Sequence, residues 1–286
     1  FNARFRFTDT ASDIAFLLMD LEFRGRRDLA EILLDEYLTV ADDLELPEVL
    51  DFYRVYRACV RGKVESFRLD DPQVSESDKG AVRESARRHF RLARGYILRR
   101  ELRPSLIAFS GLMGTGKSTL ACGLSFQLGL DLVSSDILRK ELAGVPATEH
   151  RRDAFNEGLY SPEFTRLTYG EMLRRTRESL RAGRGVVVDA SFSRREDRAC
   201  FAGLAREMGV PLHFFHAACP ETVIMGRLEA RTGEPLQVSD GRMELLARQR
   251  DDFEPISAGE EGCVEVDSSP PSDETVDAIL KILGLL

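Results

Sequence analysis

The sequence predicts an α/β protein: a five-stranded parallel sheet flanked by helices, preceded by a block that is helical throughout. Three observations carry this. From about residue 101 onward, short apolar runs alternate with segments of helical periodicity, the pattern of a βα-wound sheet. From Asp9 to about Arg100 the apolar residues recur at helical spacing alone. Between the first apolar run of the second part and the helix after it stands Gly111-Leu-Met-Gly-Thr-Gly-Lys-Ser118, which fits G-x-x-x-x-G-K-[ST] without a mismatch. The expected domains are therefore residues 1–100 and 101–286.

Within the first part, Asp13–Phe23 reads as an apolar helix, Arg27–Val40 as an amphipathic one and Pro47–Val64 as a third. Asp70–Gly80 is polar, with a proline and several acids, and reads as a loop. Lys79–Arg100 makes a long Arg- and Glu-rich helix with Ala86, Phe90, Ala93 and Ile97 on one stripe. In the second part the strands are Ser105–Ser110, Asp131–Asp136, Gly185–Asp189, Pro211–His216 and Cys263–Asp267. The longest helix runs from Pro162 to Ala182, stopped by Gly183. Another spans Glu221–Arg231, followed by the breakers Gly233 and Pro235 and by Ser239-Asp240, which cap a further helix.

Composition bounds the function. Of 286 residues, 43% are hydrophobic and 31% charged, ordinary for a globular chain. A net charge of −8 disfavours a protein whose main task is gripping nucleic acid. No apolar run reaches membrane-spanning length and no signal peptide is visible, which predicts a cytoplasmic chain with no membrane partner. Five scattered cysteines without C-x-x-C spacing predict buried free thiols, and the four histidines show no metal-binding pattern. The chain starts at Phe1, not Met, and enters at once into an apolar–basic segment, as a piece of something longer would.

The chemistry starts at the glycine-rich loop. Gly111, Gly114 and Gly116 let the backbone of Met113, Thr115 and Thr119 turn its N–H groups onto a polyphosphate, at the positive end of the next helix. Lys117 reaches the β- and γ-phosphates, and the Ser118 hydroxyl takes one position on Mg²⁺. ATP and Mg²⁺ are therefore the expected cofactors. Parallel sheets bind ligands at the carboxyl ends of their strands, and Asp136, Asp189 and Asp267 stand at three of those ends. Asp189 closes Val186-Val-Val-Asp, an apolar run that delivers one carboxylate beside the metal. Asp136, with Arg139 one helical turn on, is placed to take the proton of an attacking hydroxyl while the guanidinium holds substrate or phosphoryl group; a helix cap is the alternative for Asp136. Arg227 and Arg231 lie four apart on one helix face, as lid arginines that stabilise moving charge, although either can pair with Glu229 or Glu234. Arg194 and Arg195 give a weaker signal of substrate contact.

Two resemblances follow from these residues. Gly111–Thr119 with Ser134–Lys140 resembles P-loop kinases that phosphorylate hydroxyls: polynucleotide kinases, gluconate kinases and zeta-toxin-like enzymes. It implies a P-loop kinase-type fold and a small-molecule hydroxyl acceptor, with adenine wrapped by Asp267–Pro271. The lid region through Arg248-Gln249-Arg250 and Phe253-Glu254-Pro255 is similar to the P-loop part of bacterial fusion proteins. The first hundred residues resemble the C-terminal lobe of the aminoglycoside phosphotransferase-like kinases found ahead of that part, through Phe1-Asn2, Phe5-Arg6, Asp9, Asp13–Leu17, Met19–Glu22 and Arg57–Lys63. The resemblance implies a buried Asp13 that braces a catalytic loop. The catalytic Asp, metal-binding Asp and ATP lobe of that family fall upstream of the pattern, so the block is expected to be catalytically silent.

Overall fold

The computed structural model describes residues 9–146, 160–231, 243–256 and 259–286, without the side chains of 231 and 243–245. The chain divides into two compact units, the first running up to Leu102 and including Phe126–Gly129, the second comprising Arg103–Ser125 and Leu130 onward. Phe1-Asn2 and Phe5-Arg6 lie outside the described residues.

The first unit contains α1 (Thr10–Phe23), α2 (Arg27–Ala41), α3 (Leu46–Phe67) and α4 (Glu76–Leu98). α1 starts where the Asp9 carboxylate accepts the Ala11 N–H at 2.9 Å, leaving an orphan donor satisfied. Ala15 and Leu18 of α1 pack on Ala30 of α2 and on Leu46 and Leu50 of α3. A second cluster joins Met19, Ala58, Leu92, Ala93 and Tyr96. α4 begins earlier than the composition suggests, because Ser75 caps it by accepting the Asp78 N–H at 3.2 Å. Its buried face is also rotated: Phe90 and Ile97 are exposed, while Val82, Ala86, His89, Ala93 and Tyr96 turn inward. Two rings that read as polar explain this, since His89 stacks on Phe23 at 3.7 Å and Tyr96 fills the second cluster. Beside Tyr96, Glu22 is bridged by Arg54 and Arg99, each at 3.3 Å, and Arg99 reaches Asp51 at 3.2 Å. Asp13 is not the buried acid implied by the resemblance: its side chain is 73% exposed and pairs with Arg57 at 3.2 Å.

The second unit is the predicted α/β fold. Its strands β1 (Leu106–Ser110), β2 (Asp131–Ser134), β3 (Val186–Asp189), β4 (Leu212–Ala218) and β5 (Cys263–Asp267) form one sheet in the order β2-β3-β1-β4-β5, every pairing parallel. The helices are α5 (Lys117–Leu128), α6 (Ser135–Leu142), α7 (Pro162–Arg181), α8 (Arg195–Met208), α9 (Glu221–Arg231), α10 (Met243–Asp251) and α11 (Ser272–Ile282). β1 and β3 are buried along their whole length, which is why both read as unbroken apolar runs. On one face of the sheet Leu106, Ala108, Val186 and Val188 pack against Tyr169 and Met172 of α7 and Phe201 and Leu204 of α8.

Two expectations are corrected. β2 stops at Ser134, so Asp136 sits in the first turn of α6 and not at the strand end. The five cysteines are free as expected but not buried: Cys59, Cys122 and Cys200 are exposed, Cys219 and Cys263 partly so. The predicted cap Ser239-Asp240 lies outside the described residues. Among the described residues, no helix is long and apolar enough to cross a membrane.

Candidate functional site

The loop between β1 and α5 has the backbone its glycines require. Gly114 sits at φ +77, where a Cβ would also stand 2.8 Å from Ile224 Cγ2. Thr115 Oγ1 donates to the Leu112 carbonyl at 2.8 Å, and the Gly111 N–H donates to the Ser191 carbonyl at 3.3 Å, which ties the loop to the segment after β3. Lys117, Ser118 and Thr119 then form the first turn of α5, which carries no acidic side chain. The N–H groups of a helix's first turn, which have no partner within the helix, its positive dipole end and a lysine at that turn make an anion site.

Asp189 is the electrostatic centre. It is 4% exposed, its Oδ2 receives a long 3.4 Å hydrogen bond from Ser134, and its Oδ1 has no partner among the described residues. Burial pushes its carboxyl above the ordinary carboxylate range, Lys117, Ser118 and Ser134 pull it down, and the negative charge of Asp136 pushes it up again. Four residues singled out by sequence, Lys117, Ser118, Asp136 and Asp189, thus lie within electrostatic reach of one another. A buried carboxylate oxygen lacking any partner, with a serine hydroxyl beside it, suits a hard divalent cation that takes oxygen ligands. Ser118 and Asp189 would hold such an ion.

Arg227 adopts a more specific position than its sequence signal. Its guanidinium donates to the Thr115 carbonyl at 3.1 Å and to the Ser268 carbonyl at 2.6 Å, joining the glycine-rich loop to the segment after β5. Next to it opens a cleft of about 590 Å³, between Gly116, Thr119 and Leu120 on one side and Ser268–Ser272 on the other. That volume is in the usual range for a small-ligand site. Asp267, counted among the strand-end acids, is committed to shaping this wall: it accepts the Ser269 N–H at 2.8 Å, and Ser269, through its hydroxyl first and its N–H second, holds the carboxyl below the usual range.

Arg139 is 6% exposed, donates to Thr165 Oγ1 at 3.2 Å and has its guanidinium 4.7 Å from the Tyr160 ring centroid. Asp136 is half-buried on the same helix. The backbone of Arg231 ends α9, and its side chain lies outside the described residues. Arg194 and Arg195 open α8, where the Arg195 N–H donates to Glu254 Oε2 at 2.6 Å.

Three residues to which the sequence assigned no role shape the site. Gln249 on α10 accepts the Met113 N–H through Oε1 at 2.7 Å. Phe192, fully buried, has a left-handed backbone at φ +49, a conformation costing roughly 1–3 kcal/mol for a residue with a side chain. It is held by edge-to-face contacts with Tyr169, Phe201 and Phe214 at 5.0–5.7 Å between centroids, by the Tyr169 hydroxyl accepting its N–H at 3.1 Å, and by Arg198 donating to its carbonyl at 2.9 Å. Arg198 is itself buried and paired with Glu260 at 2.6 Å. A signal existed for Arg198, an arginine one turn into a helix after the β3 loop, but arginines there are usually solvated.

A model of an AAA domain matches residues 106–256. Uncharacterized proteins of Mycobacterium tuberculosis and Mycobacterium bovis are 33% identical over 255 residues, which cover 88% of this chain and 49% of theirs. The chain therefore spans about half the length of the curated relatives it matches. Among solved structures, a sugar kinase from Janibacter sp. HTCC2649 aligns with TM-score 0.47 and 20% identity, covering 64% of this chain and 95% of that one. A gluconokinase from Sinorhizobium meliloti 1021 aligns at 0.45 and 24%, covering 63% and 92%. The Mycobacterium tuberculosis APS kinase in complex with AMPPNP and APS aligns at 0.45 and 16%, covering 64% and 98%. With its complete glycine-rich loop and a match over more than half its length, this chain belongs to the AAA domain family.

Proposed function

We propose that this chain is a P-loop kinase that binds ATP with Mg²⁺ and transfers the γ-phosphoryl group to a hydroxyl of a small molecule. The observation that carries the reading is the convergence of Lys117, Ser118 and Asp136 on the buried, incompletely partnered Asp189, beside a cleft bordered by Arg227. The cleft takes the adenosine, and Arg227 fixes its wall. The loop N–H groups and Lys117 bind the polyphosphate and orient its terminal group. Ser118 and Asp189 hold Mg²⁺, which neutralises charge that builds on the phosphates. Asp136 accepts the proton of the acceptor hydroxyl, Arg139 supports the acceptor side from α6, and Arg231 stabilises charge on the transferring group. The acceptor is small, because the chain is acidic overall and the sequence shows no concentrated basic stripe toward Asp136 that a nucleic-acid end would need.

The helical unit we infer to be the silent remnant of an aminoglycoside phosphotransferase-like lobe. Its acids are engaged locally: Asp9 caps α1, Asp13 pairs with Arg57 and Asp20 pairs with Arg24. The deciding experiment is Lys117→Ala. Its side chain faces ligand, so the fold survives while Mg-ATP binding or turnover drops; unchanged affinity and turnover sink the assignment. A thermal-shift screen of hydroxylated metabolites with an unreactive ATP analogue then identifies the acceptor. Steady ATP hydrolysis indifferent to every metabolite points instead to a nucleotide-dependent switch.

A further inference from the structure

We propose that Gln249 is a sensor for the third phosphate: its amide oxygen holds the Met113 N–H when that phosphate is absent and yields it when the phosphate arrives. This rests on the reading of residues 111–119 as a nucleotide-binding loop. The observation is a 2.7 Å hydrogen bond from a backbone donor of that loop to a side chain on a helix 136 residues away in sequence. A neutral amide oxygen is the weaker acceptor, since an ionised oxygen binds an N–H roughly twice as strongly, so a phosphate oxygen displaces it.

Which phosphate follows from the cleft. Gly116, Thr119 and Leu120 line it, and Met113 does not. A nucleotide with its base in the cleft therefore lays its inner phosphates along Gly116–Thr119 and its outermost one toward the other limb of the loop, where Met113 stands. A diphosphate leaves Gln249 in place and a triphosphate releases it.

The release has somewhere to go. Leu246 of α10 is buried with Ile224 and Leu228 of α9, and Leu112 and Met113 pack on the same cluster. Arg250 pairs with Glu221 at 3.3 Å. The apolar side of α10 thus stays seated while its polar side loses one anchor. Just beyond α10, Glu254 accepts the Arg195 N–H at 2.6 Å and its own N–H donates to the Ser193 carbonyl at 2.8 Å. The third phosphate is coupled in this way to the segment that follows Asp189.

The test uses the whole chain with Mg-ADP and an unreactive ATP analogue as probes, read by calorimetry and by hydrogen exchange. Gln249→Ala should tighten the triphosphate analogue by about 2- to 10-fold, the scale of one net hydrogen bond, and leave ADP within about 2-fold. Gln249→Glu, a charged competitor at the same atom, should weaken the analogue more than ADP. In the wild type the analogue, and not ADP, should speed exchange in residues 246–251, a readout that needs no variant to fold. Equal effects on the two nucleotides, a weaker analogue with Gln249→Ala, or exchange indifferent to the third phosphate overturns the sensor. Wild-type protein that binds neither nucleotide fails the loop reading itself, and the sensor with it.

Discussion

Asp189→Asn separates two opposed effects at one atom. In the unliganded chain the carboxylate is almost fully buried with one oxygen unpartnered, and burial outweighs Lys117, Ser118 and Ser134, because the net displacement of its pKa from the ordinary 3.8 is upward. Its ionised form therefore destabilises the fold. Leaving a buried acceptor unsatisfied costs about 1–3 kcal/mol, and a domain of this size gains roughly 2–4 °C in Tm per kcal/mol, so the near-isosteric neutral variant should melt about 2–12 °C higher at pH 7. The sign of the pH dependence follows from linkage. A carboxyl with a raised folded pKa binds more protons in the folded state, so the contribution of this one group to wild-type stability is greatest below 3.8 and declines as pH climbs from there through the raised value. The gap between variant and wild type should accordingly be full at pH 7 and close toward pH 4. Mg-nucleotide should reverse the order: at about a hundredfold excess over Kd a ligand adds about 2.7 kcal/mol, and the variant forfeits whatever part of that depends on the carboxylate. Scanning fluorimetry from pH 4 to 8, with and without the Mg-bound ATP analogue, reads both effects. A nucleotide-free variant that melts below wild type at pH 7 would refute the claim that burial wins over Lys117, and an undiminished Mg-dependent shift would remove Asp189 from the metal.

Other outcomes are equally direct. Asp136→Asn should leave ATP affinity near wild type and slow transfer by at least about 100-fold in a single-turnover assay; transfer at the wild-type rate would make Asp136 a helix cap. Arg227→Ala breaks two hydrogen bonds from a charged donor to the Thr115 and Ser268 carbonyls, so steady-state kinetics should show a KM for ATP raised about tenfold or more with kcat less affected. Arg231→Ala should show the reverse split, lowering kcat more than it raises KM, under the proposed role of its charge in the transition state. Residues 1–100 expressed alone should neither bind ATP nor phosphorylate an aminoglycoside, by calorimetry and radiolabel transfer, whereas a fragment from about Arg99 should still bind ATP.

What the sequence conveyed follows the range of the forces involved. β1 and β3 were legible to within a residue because strands buried in a parallel sheet are unbroken apolar runs, β5 was legible although it is a mostly exposed edge strand, and the loop was legible because phosphate binding demands glycine at fixed spacing. α9 was delimited correctly by its breakers. The buried face of α4 was not, since His89 and Tyr96 count as polar in a periodicity although their rings pack as apolar surface. The end of β2 shifted because Ser135 and Asp136 suit a helix start as well as a strand end. Arg227, Arg198 and Gln249 show the limit most plainly. Each acts on backbone atoms outside its own helix, at Ser268, Phe192 and Met113, and a hydrogen bond to a carbonyl or N–H leaves no trace in the identity of the partner.

The left-handed turn at Phe192 has a bearing on how this site can vary. Three aromatic rings, a tyrosine hydroxyl and a buried arginine dictate that turn from inside the core, and the carbonyl just before it, that of Ser191, receives the Gly111 N–H. The spacing between Asp189 and the glycine-rich loop is thus a property of the interior. Relaxing the loop outward would drag a phenyl ring into water, so side chains on its rim can be exchanged without detuning the phosphate end. A scaffold built this way can change its outward-facing positions and keep the loop where it is, while a single cavity cut beneath it, at Phe201 or Tyr169, would shift the loop whatever stands on the rim.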